Sequence, residues 1–259
     1  MTNTKSPLSF NLHTHTTRCR HAVGADREYV EAAIRGGYRV LGFSDHAPMP
    51  FPDGRQSNYR VRLEECDDYV ASVLALREEF RDNIEIHLGF EVEYYPAVFP
   101  CFLDFVSQYP YEYLILGQHF FPEETDHASG VPTDDPAALQ LYLDTVLEGL
   151  ETGRFLYLAH PDMIRFTGDD AAYAARVLPF LRRVKALGIP VEINRLGFAD
   201  RRHYPCERFW ALAGQVGNKA IVGVDAHAPA HLLDFPAIDG CLDMAARHGL
   251  SLAPNPLGR

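Results

Sequence analysis

Residues 9–16 read SFNLHTHT, a short strand-like run that ends in two histidines one residue apart. The same arrangement recurs at residues 39–46, RVLGFSDH, and at residues 220–227, AIVGVDAH. In each case an apolar run of strand length is followed at once by histidine, and in the second and third stretches also by aspartate. These stretches decide how the rest of the chain is interpreted, because the same sequence of strand and polar end repeats along its whole length.

Seven strand-like runs alternate with segments of helical periodicity. The predicted strands are Ser9–Leu12, Arg39–Phe43, Ile84–Phe90, Tyr113–Gly117, Phe155–Ala159, Ile189–Ile193 and Ala220–Val224. The predicted helices include Asp26–Gly36, with Asp26 as N-cap and Gly36-Gly37 as the stop, and Leu63–Phe80, Ala137–Leu150, Asp169–Leu187 and Glu207–Val216. Regular βα alternation predicts a parallel sheet with helices outside it. Seven such units favour a closed barrel in one domain spanning residues 1–259.

The composition excludes several classes of protein. With 259 residues, 47% hydrophobic and 23% charged, the chain is of ordinary globular type. No apolar run approaches the ~18 residues of a membrane helix, and residues 1–10 do not resemble a signal peptide. Five scattered cysteines indicate reduced thiols, so we expect a cytoplasmic protein with no membrane partner. A net charge of −11 argues against a nucleic-acid partner.

Metal-binding side chains follow the predicted strands, and they are the most informative feature of the sequence. Parallel strands bring their carboxyl ends to one face, where active sites of barrels lie. Nine candidate ligands are therefore expected to converge: His13, His15, His21, His46, Glu91, His119, His160, Asp225 and His227. A lone histidine at a strand end is usually structural, but nine such residues at the same end of successive strands favour a metal site.

Seven buried imidazoles would repel one another if they were charged, and divalent metals remove that cost by binding neutral imidazole and carboxylate. Nine protein ligands are too many for one ion and suit two or three. Nitrogen and oxygen ligands fit Zn, Mn or Fe, and the sequence does not choose among these metals. The other five histidines, at positions 87, 127, 203, 231 and 248, are interpreted as structural or surface residues.

These motifs together resemble the PHP (polymerase and histidinol phosphatase) family, and within it the histidinol-phosphate phosphatase branch. The resemblance covers residues 9 to 235. The matching stretches are NLHTHT (11–16), CRHAVG (19–24), LGFSDHAPMPF (41–51), LGFEVEY (88–94), LILGQHF (114–120), LAHPD (158–162), VEINRLG (191–197), RHYP (202–205) and GVDAHAP (223–229).

The resemblance implies a distorted, TIM-like (β/α)7 barrel with a metal cluster at the C-terminal ends of its strands. By motif, His13, His15, Glu91 and Asp225 would hold the first ion. Glu91 would bridge to a second ion held by His119 and His160, and His21, His46 and His227 would hold a third. The implied activity is hydrolysis of L-histidinol phosphate, a step of histidine biosynthesis, by a hydroxide that bridges the metals.

Several residues are candidates for the remaining roles. Arg202 and Arg165 would bind the phosphate through their guanidinium groups, together with His46. Asp225, His227 and Asp45 are the candidates to protonate the departing alkoxide, and the sequence does not choose among them. The irregular stretch Ala47–Arg60 is a candidate lid. A second irregular stretch, Pro122–Pro136, is acidic and is expected to be a solvated loop.

Three other functions share some of these features. A PHP-type phosphoesterase or nuclease would keep the site and act on another small phosphate ester, a nucleotide or an oligonucleotide. A metal-binding sensor would bind metal without releasing phosphate. An amidohydrolase would need a bridging carboxylated lysine and eight strands, and neither is evident. The sequence leaves the oligomeric state open.

Overall fold

The computed structural model describes residues 6–258 as a mixed α/β protein. The strands are β1 (Phe10–Asn11), β2 (Val40–Phe43), β3 (Glu85–Val92), β4 (Tyr113–Leu116), β5 (Phe120–Phe121), β6 (His127–Ala128), β7 (Val191–Asn194), β8 (Lys219–Gly223) and β9 (Ser251–Leu252). The helices are α1 (Asp26–Gly36), α2 (Cys66–Glu79), α3 (Phe99–Val106), α4 (Pro136–Glu151), α5 (Asp170–Ala186), α6 (Arg195–Ala199), α7 (Glu207–Val216) and α8 (Phe235–Arg247).

The described residues form two compact units. The first comprises the described part of Met1–Val92 with Pro96–Leu114 and Gly223–Asp239. The second comprises Glu93–Tyr95, Ile115–Val222 and the described part of Gly240–Arg259. Because the expected single domain over residues 1–259 concerns the whole chain, it stays a prediction.

Parallel strand pairing organises the first unit. Strand β1 pairs with β2 so that Phe10 lies opposite Val40. Strand β2 pairs with β3 so that Phe43 lies opposite Leu88. All three strands run the same way, as the βα alternation predicted, and their carboxyl ends therefore meet at one edge.

Isolated bridges continue this register beyond the strands, into the polar segments that follow them. Thr14 pairs in parallel with Ala226, and His46 pairs in parallel with Glu91. The first bridge sets the histidines on either side of Thr14 beside the residues on either side of Ala226. The strand register therefore brings together donors that lie far apart in the sequence.

A buried tyrosine closes the packing beneath this edge. Tyr113 in β4 is 4% exposed, and its hydroxyl lies 2.9 Å from Leu12 O and 3.1 Å from Phe43 O. Its ring lies directly over Gly89, where a Cβ atom would stand 2.5 Å from Tyr113 Cε1. Gly42 is under the same constraint, since a Cβ atom there would stand 2.2 Å from the Tyr113 hydroxyl oxygen. Glycine is required at both positions because the ring occupies the space of a side chain.

The second unit has less regular strands. Strands β5 and β6 form a short antiparallel pair, and β8 pairs in parallel with β9. The predicted strand Phe155–Ala159 was wrong as a continuous strand, since this segment contributes only single bridges from Leu158 to Leu116 and to Val191. The chain turns directly after it, at His160, whose φ of 29° lies in the left-handed region.

All the predicted helices are present, and the differences at their ends have local causes. Helix α1 has the predicted bounds, but Asp26 is its first residue rather than its N-cap. Ala25 occupies the cap position, where its N–H donates to Glu28 Oε2 at 2.7 Å. At the other end Gly37 adopts the predicted left-handed stop, with φ of 82°.

Three helices were not predicted, namely α3, the short α6 and α8. Helix α3 reads FPCFLDFV, a run rich in aromatic residues that resembles a strand as much as a helix. Its ring contacts, such as Phe90 against Phe102 at 6.3 Å between centroids, come from the tertiary packing. Helix α8 lies beyond the last predicted strand, in a part of the sequence for which no element was predicted.

The two long predicted loops differ in the structure. Residues 47–60 contain no helix or strand, as their prolines indicated. Residues 122–136 include β6, which pairs back onto β5, so this segment is more ordered than an acidic solvated loop. Among residues 6–258, no helix has both the length and the hydropathy needed to cross a bilayer.

Candidate metal centre

The carboxylate of Asp225 lies among histidines that follow β1. Its Oδ1 atom lies 3.5 Å from His13 Nε2 and 3.1 Å from His15 Nε2. All three side chains are buried, and their ligand atoms form a group compact enough to hold one ion. Asp225 adopts a φ of 52°, a left-handed conformation that is costly for a residue with a side chain. Such strain is typical of functional sites.

Glu91, at the end of β3, contributes a second buried carboxylate. Its Oε2 atom lies 3.5 Å from the Nε2 atoms of both His13 and His15, and 3.1 Å from His46 Nδ1. The side chain is 1% exposed. Because this oxygen atom faces three imidazoles, Glu91 is placed where one carboxylate could be a ligand to more than one metal ion.

A third group consists of His21, His46 and His227, whose ligand atoms also lie close enough to bind one ion. The ring centroids of His21 and His227 are 4.7 Å apart, and those of His21 and His46 are 5.3 Å apart. His15 connects this group to the buried carboxylates, because its ring stacks on that of His227 at 4.1 Å. The first unit therefore brings together seven of the nine predicted ligands.

The Nδ1 atoms of several rings are directed at oxygen acceptors. His21 Nδ1 lies 2.8 Å from Cys19 O, and His227 Nδ1 lies 3.1 Å from Asp225 O. A carbonyl only accepts, so each Nδ1 carries the proton and each Nε2 keeps a lone pair. His15 Nδ1 lies 3.3 Å from Asp45 Oδ1, a carboxylate oxygen that can accept a proton held on that nitrogen.

The buried carboxylates of the cluster favour positive charge among the imidazoles. Burial lowers the pKa of His15, but the carboxylates of Asp225, Asp45 and Glu91 outweigh it and raise this pKa to about 9. Although burial alone raises the pKa of Asp225, His13, His227 and His15 hold it well below its usual value. The protein therefore stabilises cations at this position.

The donor set fits a divalent metal ion. Among the described residues, none stands in hydrogen-bonding geometry to the buried Nε2 atom of His227. An imidazole nitrogen buried in this way is costly unless it binds something. Cys19 Sγ also lies within ligand distance of His15 and His227, but burial raises the pKa of this thiol far above its usual value. The site is therefore one of imidazole and carboxylate, which suits Zn, Mn or Fe.

The remaining two predicted ligands, His119 and His160, lie together in the second unit. Their ring centroids are 4.8 Å apart. His119 Nδ1 lies 2.8 Å from Glu93 Oε1, and Glu93 is fully buried. The two rings thus form a second pair of imidazoles, one of which is held by a carboxylate.

The predicted phosphate-binding arginines also belong to the second unit. Arg202 is half-exposed, and its guanidinium group bonds Asp200 Oδ2 at 2.8 Å and the Tyr204 hydroxyl at 3.1 Å. The Tyr204 ring lies 5.9 Å from that of His160, so Arg202 is one side chain removed from a candidate ligand. Arg165 is exposed, and the structure shows no contact of its side chain with either histidine.

Sequence reasoning missed three residues at these sites. Glu93 supports His119, Tyr59 packs edge-on against His46 at 5.5 Å, and Asp162 accepts the Cys206 N–H at 2.5 Å. Burial raises the pKa of Asp162 to about 7. The pattern Glu-Val-Glu at 91–93 and the HPD triplet at 160–162 were signals for two of them, because a carboxylate beside a ligand often supports a neighbour. Tyr59 had no comparable signal.

Parallel strands that gather histidines and carboxylates at their carboxyl ends define a class of α/β proteins with a metal-binding centre at the sheet edge. Residues 11–196 match the family model of the PHP domain. The chain therefore belongs to the PHP family.

Individual relatives give the same result. The chain is 26% identical over 230 residues to the "probable histidinol-phosphatase" of Deinococcus radiodurans, covering 85% of this chain and 86% of the relative. It is 23% identical over 249 residues to the protein of that name from Schizosaccharomyces pombe, covering 86% and 81%.

A solved structure shares the fold. It is the histidinol phosphate phosphatase of Lactococcus lactis, complexed with zinc, L-histidinol and phosphate. The TM-score is 0.72 at 20% identity, and the match covers 95% of each chain.

Proposed function

We propose that this protein is a metal-dependent phosphomonoesterase that hydrolyses L-histidinol phosphate to L-histidinol and phosphate. The observation that carries the proposal is the group of seven imidazole and carboxylate donors gathered at the strand ends of the first unit. Two relatives similar over most of their length are named probable histidinol-phosphatases, and the solved relative holds zinc, L-histidinol and phosphate together. The substrate is thus a small phosphate ester and the reaction is a hydrolysis.

The proposed ligands hold two to three divalent ions in all. His13, His15, Glu91 and Asp225 form one set of ligands, and His21, His46 and His227 form another. His119 and His160 supply a further pair of imidazoles. Zinc is the first metal to test because the solved relative contains it, and manganese and iron suit the same donors.

When bound, such ions lower the pKa of a water molecule and offset the charge of the phosphoryl oxygens. The chain's own residues complete the reaction. Arg202 binds the phosphate with its planar fork of N–H donors, while Arg165 and His46 are further phosphate-binding candidates. Asp225, His227 and Asp45 are the candidates to hold the proton that the leaving alkoxide takes up. Burial of Asp225 beside the other donors limits the access of bulk water to that transfer.

The finer architecture and location are parts of the same proposal. A distorted (β/α)7 barrel is supported by the similarity to the Lactococcus lactis fold and by the parallel pairing of β1 to β3. A cytoplasmic location is supported by the five cysteines, all of which are free. A net charge of −11 favours a small substrate over a nucleic acid.

Phosphate release from a substrate panel tests the function. Metal-free protein is reloaded with zinc, manganese or iron and given histidinol phosphate, p-nitrophenyl phosphate, a nucleoside monophosphate and a short oligonucleotide. We expect the highest kcat/KM for histidinol phosphate, and none without metal. Faster turnover of the nucleotide or oligonucleotide would establish the alternative, a PHP-type phosphoesterase or nuclease. Metal binding without any phosphate release would indicate a sensor.

A further inference from the structure

Two buried carboxylates lie behind candidate ligand histidines, one in each unit. Asp45 Oδ1 lies 3.3 Å from His15 Nδ1, and Glu93 Oε1 lies 2.8 Å from His119 Nδ1. Both carboxylates are 0% exposed. Their histidines lie 30 and 26 residues away along the chain, so each contact is a product of the fold.

The contacts of Asp45 hold it in one orientation. Its Oδ2 atom accepts the Thr16 N–H at 3.1 Å and the Thr16 hydroxyl, and its Oδ1 atom accepts the His46 N–H at 2.9 Å. Both oxygens are therefore committed to donors that cannot move away. A carboxylate held in this way is a fixed acceptor for His15 and is poorly placed to reach a substrate.

The opposite edge of the His15 ring faces the metal-binding group. Its Nε2 atom lies 3.1 Å from Asp225 Oδ1 and 3.5 Å from Glu91 Oε2. A proton held on Nδ1 leaves the lone pair on Nε2, and an anionic acceptor makes that nitrogen a stronger ligand. His21 uses a neutral carbonyl oxygen for the same purpose, which fixes the ring but adds no charge.

We propose that Asp45 and Glu93 are positioning residues for the metal centre, each holding a histidine, His15 and His119 respectively, with its proton on Nδ1 so that Nε2 binds metal. This assigns Asp45 a different role from proton donor. The inference rests on the proposed metal-dependent function but not on the identity of the substrate.

Zinc affinity tests this role. Metal-free wild type, Asp45→Asn and Glu93→Gln are titrated with zinc against a chromophoric chelator, below the unfolding temperature of each apoprotein. We expect each variant to lose about 10–100-fold in affinity at its weakened site, the usual effect of removing such a support.

The chain offers a matched control. Glu112 also pairs with a histidine and a backbone amide in the first unit, at 2.8 Å from His87 Nδ1 and 3.0 Å from Leu88 N, but His87 is not a candidate ligand. Glu112→Gln should therefore bind zinc as the wild type does. An equal loss of affinity in this control, or wild-type affinity in both test variants, would overturn the proposal.

Nitrogen-15 NMR of labelled histidines in the zinc-loaded wild type gives a second readout. This readout does not depend on whether the variants fold. We expect His15 and His119 to show a protonated Nδ1 and a metal-bound Nε2. Metal bound through Nδ1 of either ring overturns the proposal, and this measurement decides the matter for His15 if Asp45→Asn fails to fold.

Different experimental results would overturn the positioning role of the two carboxylates and the proposed function. The zinc titration needs no substrate. The role of the two carboxylates can therefore be tested even if the protein hydrolyses a different ester. Conversely, variants with unchanged zinc affinity in a protein that hydrolyses histidinol phosphate would remove the inference and leave the function standing.

Discussion

Glu91 shows at the scale of single residues how one atom serves several partners. Its Oε2 atom faces three imidazoles at 3.1–3.5 Å, and the side chain is almost fully buried. A buried carboxylate in such a position is stable only if positive charge balances it. The candidate centre supplies that charge when metal is bound.

We expect Glu91→Gln to lose metal content and phosphatase activity together. The amide has no charge to share between ions, and its NH2 group would face imidazole nitrogens that bind metal. Metal analysis of the purified variant and phosphate release from histidinol phosphate measure the two effects. Glu85→Gln, the same change at an exposed position of the same strand, should leave both at wild-type values. A fully loaded and active Glu91→Gln protein would contradict the shared-ligand role.

Arg202 allows a second prediction at this scale. We expect Arg202→Ala to lower kcat/KM for histidinol phosphate by ~10–100-fold, since a charge-assisted hydrogen bond contributes ~1.5–3 kcal/mol. Steady-state kinetics measure the loss, and metal content should not change. Arg182→Ala removes an exposed arginine of α5 and serves as the control. Equal kcat/KM values for the two variants would show that Arg202 pairs with Asp200 but does not bind the phosphate.

At the scale of elements, the strand register does most to assemble the site. The parallel pairing of β1, β2 and β3 continues into the bridges Thr14–Ala226 and His46–Glu91. A shift of one residue in any of these strands would turn its donors to the other face, because side chains alternate along a strand. The packing of Tyr113 against Gly42 and Gly89 allows β2, β3 and β4 to lie in this register.

We therefore expect Gly89→Ala to destabilise the protein by ~1–3 kcal/mol, the usual cost of overpacking a core. The added methyl group would overlap the Tyr113 ring, which is buried and cannot move aside. Urea unfolding followed by circular dichroism measures the change. Gly130→Ala is the matched control, since the nearest atom to its Cβ position is 3.6 Å away. Equal midpoints for the two variants would mean that the Tyr113 ring has room to shift.

At the scale of the whole molecule, the candidate ligands connect distant parts of the chain. The seven donors of the first unit extend from His13 to His227, and they are close together only in the folded state. A metal that binds the native state and not the unfolded chain adds its binding free energy to stability, about 2.7 kcal/mol at a concentration 100 times its Kd. Stability and metal occupancy are therefore coupled.

Removal of metal should lower the melting temperature, and replacement should restore it. Differential scanning calorimetry of chelator-treated protein, before and after addition of zinc, measures both steps. Magnesium, which prefers oxygen ligands, should restore little. A melting temperature unaffected by the chelator, in protein shown to be metal-free, would mean that the donors do not depend on an ion for their arrangement.

The parts of the fold that could be predicted are those set by local pattern. Helices α1 and α7 have the predicted bounds because their apolar periodicity is local and each ends at a left-handed glycine, Gly37 and Gly217 respectively. The parallel pairing was predictable because βα alternation allows few other arrangements. The strand at Phe155–Ala159 and helix α3 were not predicted correctly, because tertiary partners decide the conformation of short apolar runs.

The sequence alone determined the chemistry of the candidate centre: imidazole and carboxylate groups placed directly after strands. Parallel strands end at one edge, so the sequence also determined that most of these donors would meet. Only the tertiary structure placed Asp45 and Glu93 beside Nδ1 of His15 and His119, which lie about 30 residues away along the chain. It likewise decided the left-handed turns at Asp225 and His160. Hydrogen bonds between distant segments and strained backbone depend on the packed fold, and no local pattern in the chain encodes them.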